Sequence, residues 1–241
     1  MRKIRVYQAA ENVKTKEIKG SIAVVADVLR ATSTIVTALY NGCRIVIPVI
    51  TVDDAYETAR SFDGKELMLG GERNGQKIDG FDFGNSPQEY TREKVKEKIL
   101  ITTTTNGTKA LVRTAEAEET LVLSFLNLTA VGDYILKRQN DITAVAAGLL
   151  GDFSIEDSVC CGLLIEYLLS RAPDQFEKTA ALEKILHMSR MYSGKIEQLL
   201  SESTHGSYLR SIGYESDLKV CARTDSCSIV PRYSGGTITI T

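Results

Sequence analysis

"IAVVADVLRATSTIVTALYNG", residues 22–42, carries the pattern on which the fold turns. Ile22–Ala26 is an unbroken apolar run that stops at Asp27. An unbroken run, as opposed to an alternating one, marks a strand covered on both faces, the kind found in α/β sheets. Arg30 follows three residues after Asp27, then the small hydroxyl-rich Ala31-Thr32-Ser33-Thr34, then helical spacing over Thr32–Tyr40. A buried strand thus delivers a carboxylate and a guanidinium at its end, beside residues with little bulk. In open α/β sheets that end of a strand is where ligands bind.

The same alternation runs outward in both directions. Strands are expected at Ile4–Gln8, Arg44–Val49, Glu66–Leu69, Ile99–Thr103, Leu121–Phe125 and Thr143–Ala147. Helices are expected at Val52–Ser61, Thr108–Glu116, Thr129–Arg138 and Ile155–Ser170. Residues 174–210 read as further helices, and Ser216–Thr241 reads as strand. The order predicts a three-layer α/β/α architecture with a largely parallel or mixed sheet and a helical C-terminal portion. No Gly/Ser- or Pro-rich linker divides the chain, so residues 1–241 are expected to form one α/β domain.

Composition excludes several classes. With a net charge of −2 over 241 residues there is no basic footprint for nucleic acid. No apolar stretch approaches signal or membrane-span length, which predicts a cytoplasmic protein without membrane contact. The five cysteines (43, 160, 161, 221 and 227) follow no zinc spacing and read as buried thiols.

Polar residues gather where the expected strands end. Asp27 is placed as a helix cap would be, but Arg30 opposes the helix dipole there, a conflict that an anionic ligand would resolve. "GGERNG" (70–75) supplies a second acid–base pair, Glu72 and Arg73, or simply a tight turn. "TTTTNGTKAL" (102–111) resembles a strand-to-helix loop whose N–H groups could cradle phosphate, though no Walker A or GxGxxG spacing occurs. In "DFGNSPQEY" (82–90), Ser86, Pro87 and Glu89 fit a capping box, leaving Asp82 and Asn85 as candidate site residues. Ser154 and Asp157 fit a similar cap, so Glu156 is the freer of the two acids to face a ligand. His187 and His205 fall in the C-terminal region, away from these loops, which argues against a histidine-centred mechanism.

The ordered set D-x-x-R-A-T-S-T, G-G-E-R, D-F-G-N-S-P, T-T-N-G-T, S-F-x-N and E-D-x-x-x-x-G resembles the 2-phosphosulfolactate phosphatases, over about residues 21–232. The tail "DLKVCARTDSCSIVPRY" belongs to the match. The resemblance implies an α/β, Mg²⁺-dependent phosphohydrolase of the kind that converts 2-phosphosulfolactate to 3-sulfolactate and phosphate in coenzyme M biosynthesis. It picks out Asp27, Arg30, Glu72, Arg73, Asp82, Asn85, Asn106, Asn127, Glu156 and Asp157 without assigning their roles.

The expected division of labour is then as follows. Asp27, Arg30, Glu72, Arg73 and Asn106 are catalytic; Thr32, Ser33, Asn85, Thr105, Gly107, Thr108 and Asn127 bind substrate; Asp27, Asp82, Glu156 and Asp157 hold Mg²⁺. The expected partner is a small anionic phosphorylated molecule, with homo-oligomerisation left open. Attack by metal-bound water is preferred to an aspartyl-phosphate on Asp27: the dehalogenase-type pattern needs a second Asp where Leu29 stands, and no cysteine has an Arg six positions on. The alternative class is a non-catalytic anion-binding or regulatory module, which would have little use for so many carboxylates beside its arginines.

Overall fold

A computed structural model describes residues 1–62 and 66–240. Ten strands form one sheet: β1 (Ile4–Tyr7), β2 (Ile22–Ala26), β3 (Ile45–Pro48), β4 (Leu67–Arg73), β5 (Gln76–Lys77), β6 (Ile99–Thr103), β7 (Glu119–Leu123), β8 (Ile142–Ala146), β9 (Pro231–Ser234) and β10 (Thr237–Ile240). Their spatial order is β1-β8-β2-β7-β9-β10-β3-β6-β4-β5. Two parallel blocks, β1-β8-β2-β7 and β3-β6-β4, flank the antiparallel hairpin β9-β10. The mixed sheet matches the expected class. The hairpin meets Thr120 and Leu121 of β7 and Val46 of β3, near the starts of those strands.

β2 is fully buried, and its side chains alternate between two cores. Ile22, Val24 and Ala26 pack with α6 (Leu128–Leu136), α7 (Ile155–Arg171), α8 (Ala180–Tyr192) and α9 (Ile196–Glu202). Val25 faces the other way, toward α2 (Ala31–Tyr40) and α5 (Gly107–Arg113). In the second block Ile47, Leu67, Leu69 and Ile101 pack with Ala55 of α3 (Val52–Ala59). Period-2 geometry with both faces covered explains why the sequence reads as a continuous apolar run. Two short helices, α1 (Thr15–Ile18) and α4 (Arg92–Val95), precede β2 and β6.

Three expectations are corrected. First, β4 does not stop at Leu69 but continues through Gly70-Gly71-Glu72-Arg73. Gly71 makes this passage: with φ at +152°, a Cβ there would collide with the Thr103 carbonyl of β6. The strand then turns at Asn74-Gly75, both at positive φ, and pairs Glu72 with Lys77. That is the backbone an Asn-Gly hairpin favours. Second, Glu215–Cys221 is a helix, α11, following α10 (Thr204–Ser211), so the C-terminal strand sequence begins only at Pro231. Third, Pro87–Glu89 is a 3₁₀ turn without the expected box: Ser86 Oγ reaches Asp217 at 2.6 Å, and Glu89 accepts the Gly84 N–H at 2.8 Å. The Ser154 cap is present, its Oγ accepting the Asp157 N–H. All five cysteines are free and buried, as expected. No helix among the described residues is long and apolar enough to cross a membrane.

Candidate active site

A cavity of about 400 Å³ opens at the carboxyl ends of the strands, where both parallel blocks contribute. Asp27, Leu29 and Arg30 come from the β2–α2 loop, and Glu72, Asn74 and Gly75 from the β4–β5 turn. Asn85 lies beside them, with Thr104, Thr105 and Asn106 after β6 and Leu149 and Leu150 after β8. Thr204, His205 and Tyr208 of α10 close the remaining side.

Asp27 is the central carboxylate. Its Oδ1 accepts the N–H of Ala31, the first residue of α2, at 3.2 Å. A capping interaction is therefore part of its role, as Asp at that position allows. Oδ2 faces Gly107, where a Cβ would stand 2.8 Å away. Burial, followed by the charges of Glu72 and Glu156, pushes the Asp27 carboxyl up to about 7, although the Ala31 N–H opposes the shift. Glu156 is also raised by burial. Carboxylates that repel one another in a buried cleft are costly unless a cation or a proton joins them.

Glu72 organises loops. Its Oε1 accepts the Thr105 N–H at 2.7 Å, and its Oε2 accepts the Gly75 N–H at 2.8 Å. Asn106 Oδ1 accepts the Leu150 N–H at 3.2 Å, tying the loop after β6 to the loop after β8. Thr32 and Ser33 are turned inward. Thr32 Oγ1 donates to the Asp27 carbonyl at 2.9 Å, and Ser33 Oγ donates to the Val28 carbonyl at 2.8 Å. Thr108 likewise closes its own loop, its Oγ1 donating to the Thr104 carbonyl.

Arg30 departs from the sequence expectation. Its conflict with the helix dipole is met by an anion of the chain itself: the Arg30–Asp217 ion pair spans 2.6 Å, with both side chains only 1% exposed. A second N–H of the guanidinium donates to the Gly75 carbonyl, and the group lies over the Tyr214 ring at 4.1 Å.

Nine expected site residues fall outside the cavity lining: Thr32, Ser33, Gly107, Thr108, Glu156, Arg73, Asp82, Asn127 and Asp157. Arg73 donates to the carbonyls of Glu72 and Ile50 and to Thr103 Oγ1, bracing the strand ends. Asp82 is exposed and accepts the Leu69 N–H at 2.8 Å. Asn127 links Ser124, Val122 and Ile229 in the interior. Asp157 uses both oxygens on backbone, accepting from Val28 at 2.8 Å and from Gly148 at 3.3 Å. Its charge is nevertheless part of the local field, because burial and the charges of Asp27 and Glu156 raise it well above the usual carboxylate range.

Conversely, His205 is not remote. Its Nδ1 lies 4.0 Å from Glu156 Oε1, and burial with the Arg30 charge pushes the imidazole down to about 4. It is therefore neutral at pH 7 and adds donor and acceptor capacity without charge. Tyr208 is anchored to the β4–β5 turn through its OH, which donates to the Asn74 carbonyl at 2.9 Å. No local motif marks either residue. The one cue within the chain is Ser203 ahead of Thr204, which reads as a helix cap and bonds the Gly206 N–H.

Known proteins of like sequence bear on this geometry. A chain described as a probable 2-phosphosulfolactate phosphatase from Clostridium acetobutylicum is 40% identical over 236 residues, covering 98% of this chain and 99% of that one. Proteins of the same description from Clostridium perfringens (strain SM101) and Symbiobacterium thermophilum are 41% and 38% identical, covering 98% and 93% of this chain and 95% and 96% of theirs. The profile of the family described as 2-phosphosulpholactate phosphatase matches residues 7–236. With nearly the whole length so matched, this chain belongs to the 2-phosphosulpholactate phosphatase family.

Proposed function

We propose that this protein is a Mg²⁺-dependent phosphohydrolase that removes phosphate from a phosphorylated 2-hydroxy acid, most favourably 2-phosphosulfolactate, giving 3-sulfolactate as in coenzyme M biosynthesis. The observation that carries the reading is that Asp27, Glu72 and Arg30 line one cavity, with the charge of the buried Glu156 acting on Asp27, in a chain of this family. A pure anion binder has no use for buried carboxylates that repel both each other and its ligand.

The donor set fits a hard divalent cation in a restricted sense. Among the described residues no group of three or more His, Cys, Asp or Glu side chains stands as a ready cage. Mg²⁺ does not need one, since it is commonly held by one or two carboxylates together with substrate phosphate and water. Asp27, which lines the cavity with Oδ2 toward Gly107, and the buried Glu156, whose charge acts on it, are the residues for that part. Asp157 has both oxygens committed to backbone N–H groups, and Asp82 is exposed, outside the cavity lining, with one oxygen on the Leu69 N–H. When bound, the cation would neutralise phosphate charge and favour ionisation of a water.

The chain's own residues then divide the remaining work. Arg30, Asn85, Thr105 and Asn106 line the cavity and supply donors to the anionic oxygens of the substrate. Glu72 holds the Gly75 and Thr105 peptides in place through two of its hydrogen bonds. His205 offers a neutral ring nitrogen beside Glu156. Leu149, Leu150 and Tyr208 add apolar surface to the cavity lining. Positioning and electrostatic stabilisation account for most of phosphoryl-transfer catalysis, so no covalent intermediate is required.

The test is a panel of phosphorylated 2-hydroxy acids with Mg²⁺ present, read by release of inorganic phosphate. The proposal expects 2-phosphosulfolactate to show the highest kcat/KM. Tight binding of panel members without phosphate release would replace it with the anion-binding reading.

A further inference from the structure

Arg30 is held from three sides. Two of its five N–H groups are used within the chain, by Asp217 Oδ2 and by the Gly75 carbonyl, and its face lies on the Tyr214 ring. Asp217 is itself steered: Ser86 Oγ donates to its Oδ1 at 2.6 Å, and Gln88 Nε2 donates to the same atom at 2.8 Å. The carboxylate is 1% exposed, as is the guanidinium. Asp217 and Tyr214 lie 187 and 184 positions after Arg30, at the start of α11, and neither lines the cavity. Arg30 does line it.

A stacked, bidentate-capable guanidinium presents donors in a fixed plane, whereas an unrestrained one samples many rotamers. Holding it in advance removes an ordering cost from ligand binding. We infer that Asp217, seconded by Tyr214, is a positioning residue for Arg30, setting the guanidinium so that its uncommitted N–H groups meet the anionic oxygens of the substrate. The inference rests on the phosphatase reading and goes beyond it, because it assigns α11 a part in substrate affinity that the cavity lining alone does not reveal. The DLKVCARTDSC tail, part of the same motif match, contains the counter-ion of the first motif's arginine. Breaking a buried pair within the chain costs stability whatever its role, so a change in ligand affinity is what separates a positioning residue from a strut that only joins α11 to the core.

The experiment compares wild type with Asp217→Asn, Asp217→Glu, Ser86→Ala and Arg30→Lys, in the presence of Mg²⁺. Turnover of 2-phosphosulfolactate is measured together with competitive inhibition by inorganic phosphate, each corrected for folded fraction from a thermal melt. Asp217→Asn is expected to raise KM and the phosphate inhibition constant together, by about 10- to 100-fold, with a smaller change in kcat. Asp217→Glu, which keeps the charge, should recover part of that loss. Ser86→Ala frees one hydrogen bond to Asp217 without breaking the ion pair, so it serves if Asp217→Asn does not fold, and it should raise both constants by a smaller factor. Arg30→Lys combined with Asp217→Asn, or with Ser86→Ala in its place, should cost less than the product of the single effects. Unchanged KM and inhibition constants in folded Asp217→Asn (or in Ser86→Ala), or independent multiplication of the two effects, overturn the inference while wild-type turnover upholds the phosphatase reading. Absence of phosphate release by wild type overturns both.

Discussion

A single methyl group at position 107 should separate the site from the fold. Gly107 opens α5 and is buried against the β2–α2 loop. A Cβ there would stand 2.5 Å from the Ala31 Cβ, 2.8 Å from Asp27 Oδ2 and 3.3 Å from Asp27 Cγ. Overpacking of this kind costs about 1–3 kcal/mol. Replacing helical glycine by alanine returns about 1 kcal/mol through propensity. Gly107→Ala should therefore lose about 0–2 kcal/mol of stability, or at most about 8 °C in Tm for a chain of this size. The same methyl must displace the Asp27 carboxylate, and a shift on the order of 1 Å in a reacting group can cost about 100-fold in rate. Steady-state phosphate release beside a thermal melt measures both. The companion pair Gly107→Ala with Ala31→Gly removes the contact with Ala31 and keeps the contact with Asp27, so packing strain should ease while activity stays low. Wild-type kcat/KM in folded Gly107→Ala would refute a part for the Asp27 carboxylate in turnover.

Other outcomes follow from the same contacts. Asp27→Asn keeps an acceptor for the Ala31 N–H and removes a buried charge, so without metal its Tm should not fall, while kcat/KM drops by about 100-fold or more, equivalent to about 2.7 kcal/mol. A lower Tm with normal kinetics would make Asp27 a cap alone. Asn127→Ala leaves the Ser124 N–H and the Val122 and Ile229 carbonyls short of a partner, costing about 1–3 kcal/mol, with the kinetics of the folded fraction unchanged; a raised KM would return Asn127 to the substrate. Burial pushes Cys43 up to about 11 and Cys221 up to about 12, so at pH 8 neither carries appreciable thiolate. A disulfide reagent at that pH should titrate essentially no thiol in the native protein and five in denaturant, and rapid native reaction would contradict the burial.

What could be read from the sequence was local. Ile22–Ala26 announces itself because both faces of β2 are buried, and Asp27 and Arg30 follow because a strand must end before a helix can begin. Ser154 behaves as a cap because its partner, the Asp157 N–H, is three residues away. Ser86 has the same local credentials and fails, since Asp217, 131 positions later, competes for its hydroxyl. The same distance conceals His205, Tyr208 and the Arg30–Asp217 pair, which depend on how α10 and α11 return to the sheet. Arg73 and Glu72 illustrate period 2: adjacent in a strand, they point to opposite faces, so the GGER motif sends only Glu72 into the cavity. The hairpin β9-β10 reads as strand in the sequence, but its insertion between two parallel blocks is a tertiary choice that no residue pattern records.

The central claim is that buried carboxylates here serve a cation in phosphate ester hydrolysis. Its most direct measurement is the rate of phosphate release from 2-phosphosulfolactate by metal-stripped wild-type protein as Mg²⁺ is added back. The account predicts no release in excess chelator and a saturable return of full activity with Mg²⁺. Full activity in excess chelator after stripping would contradict it.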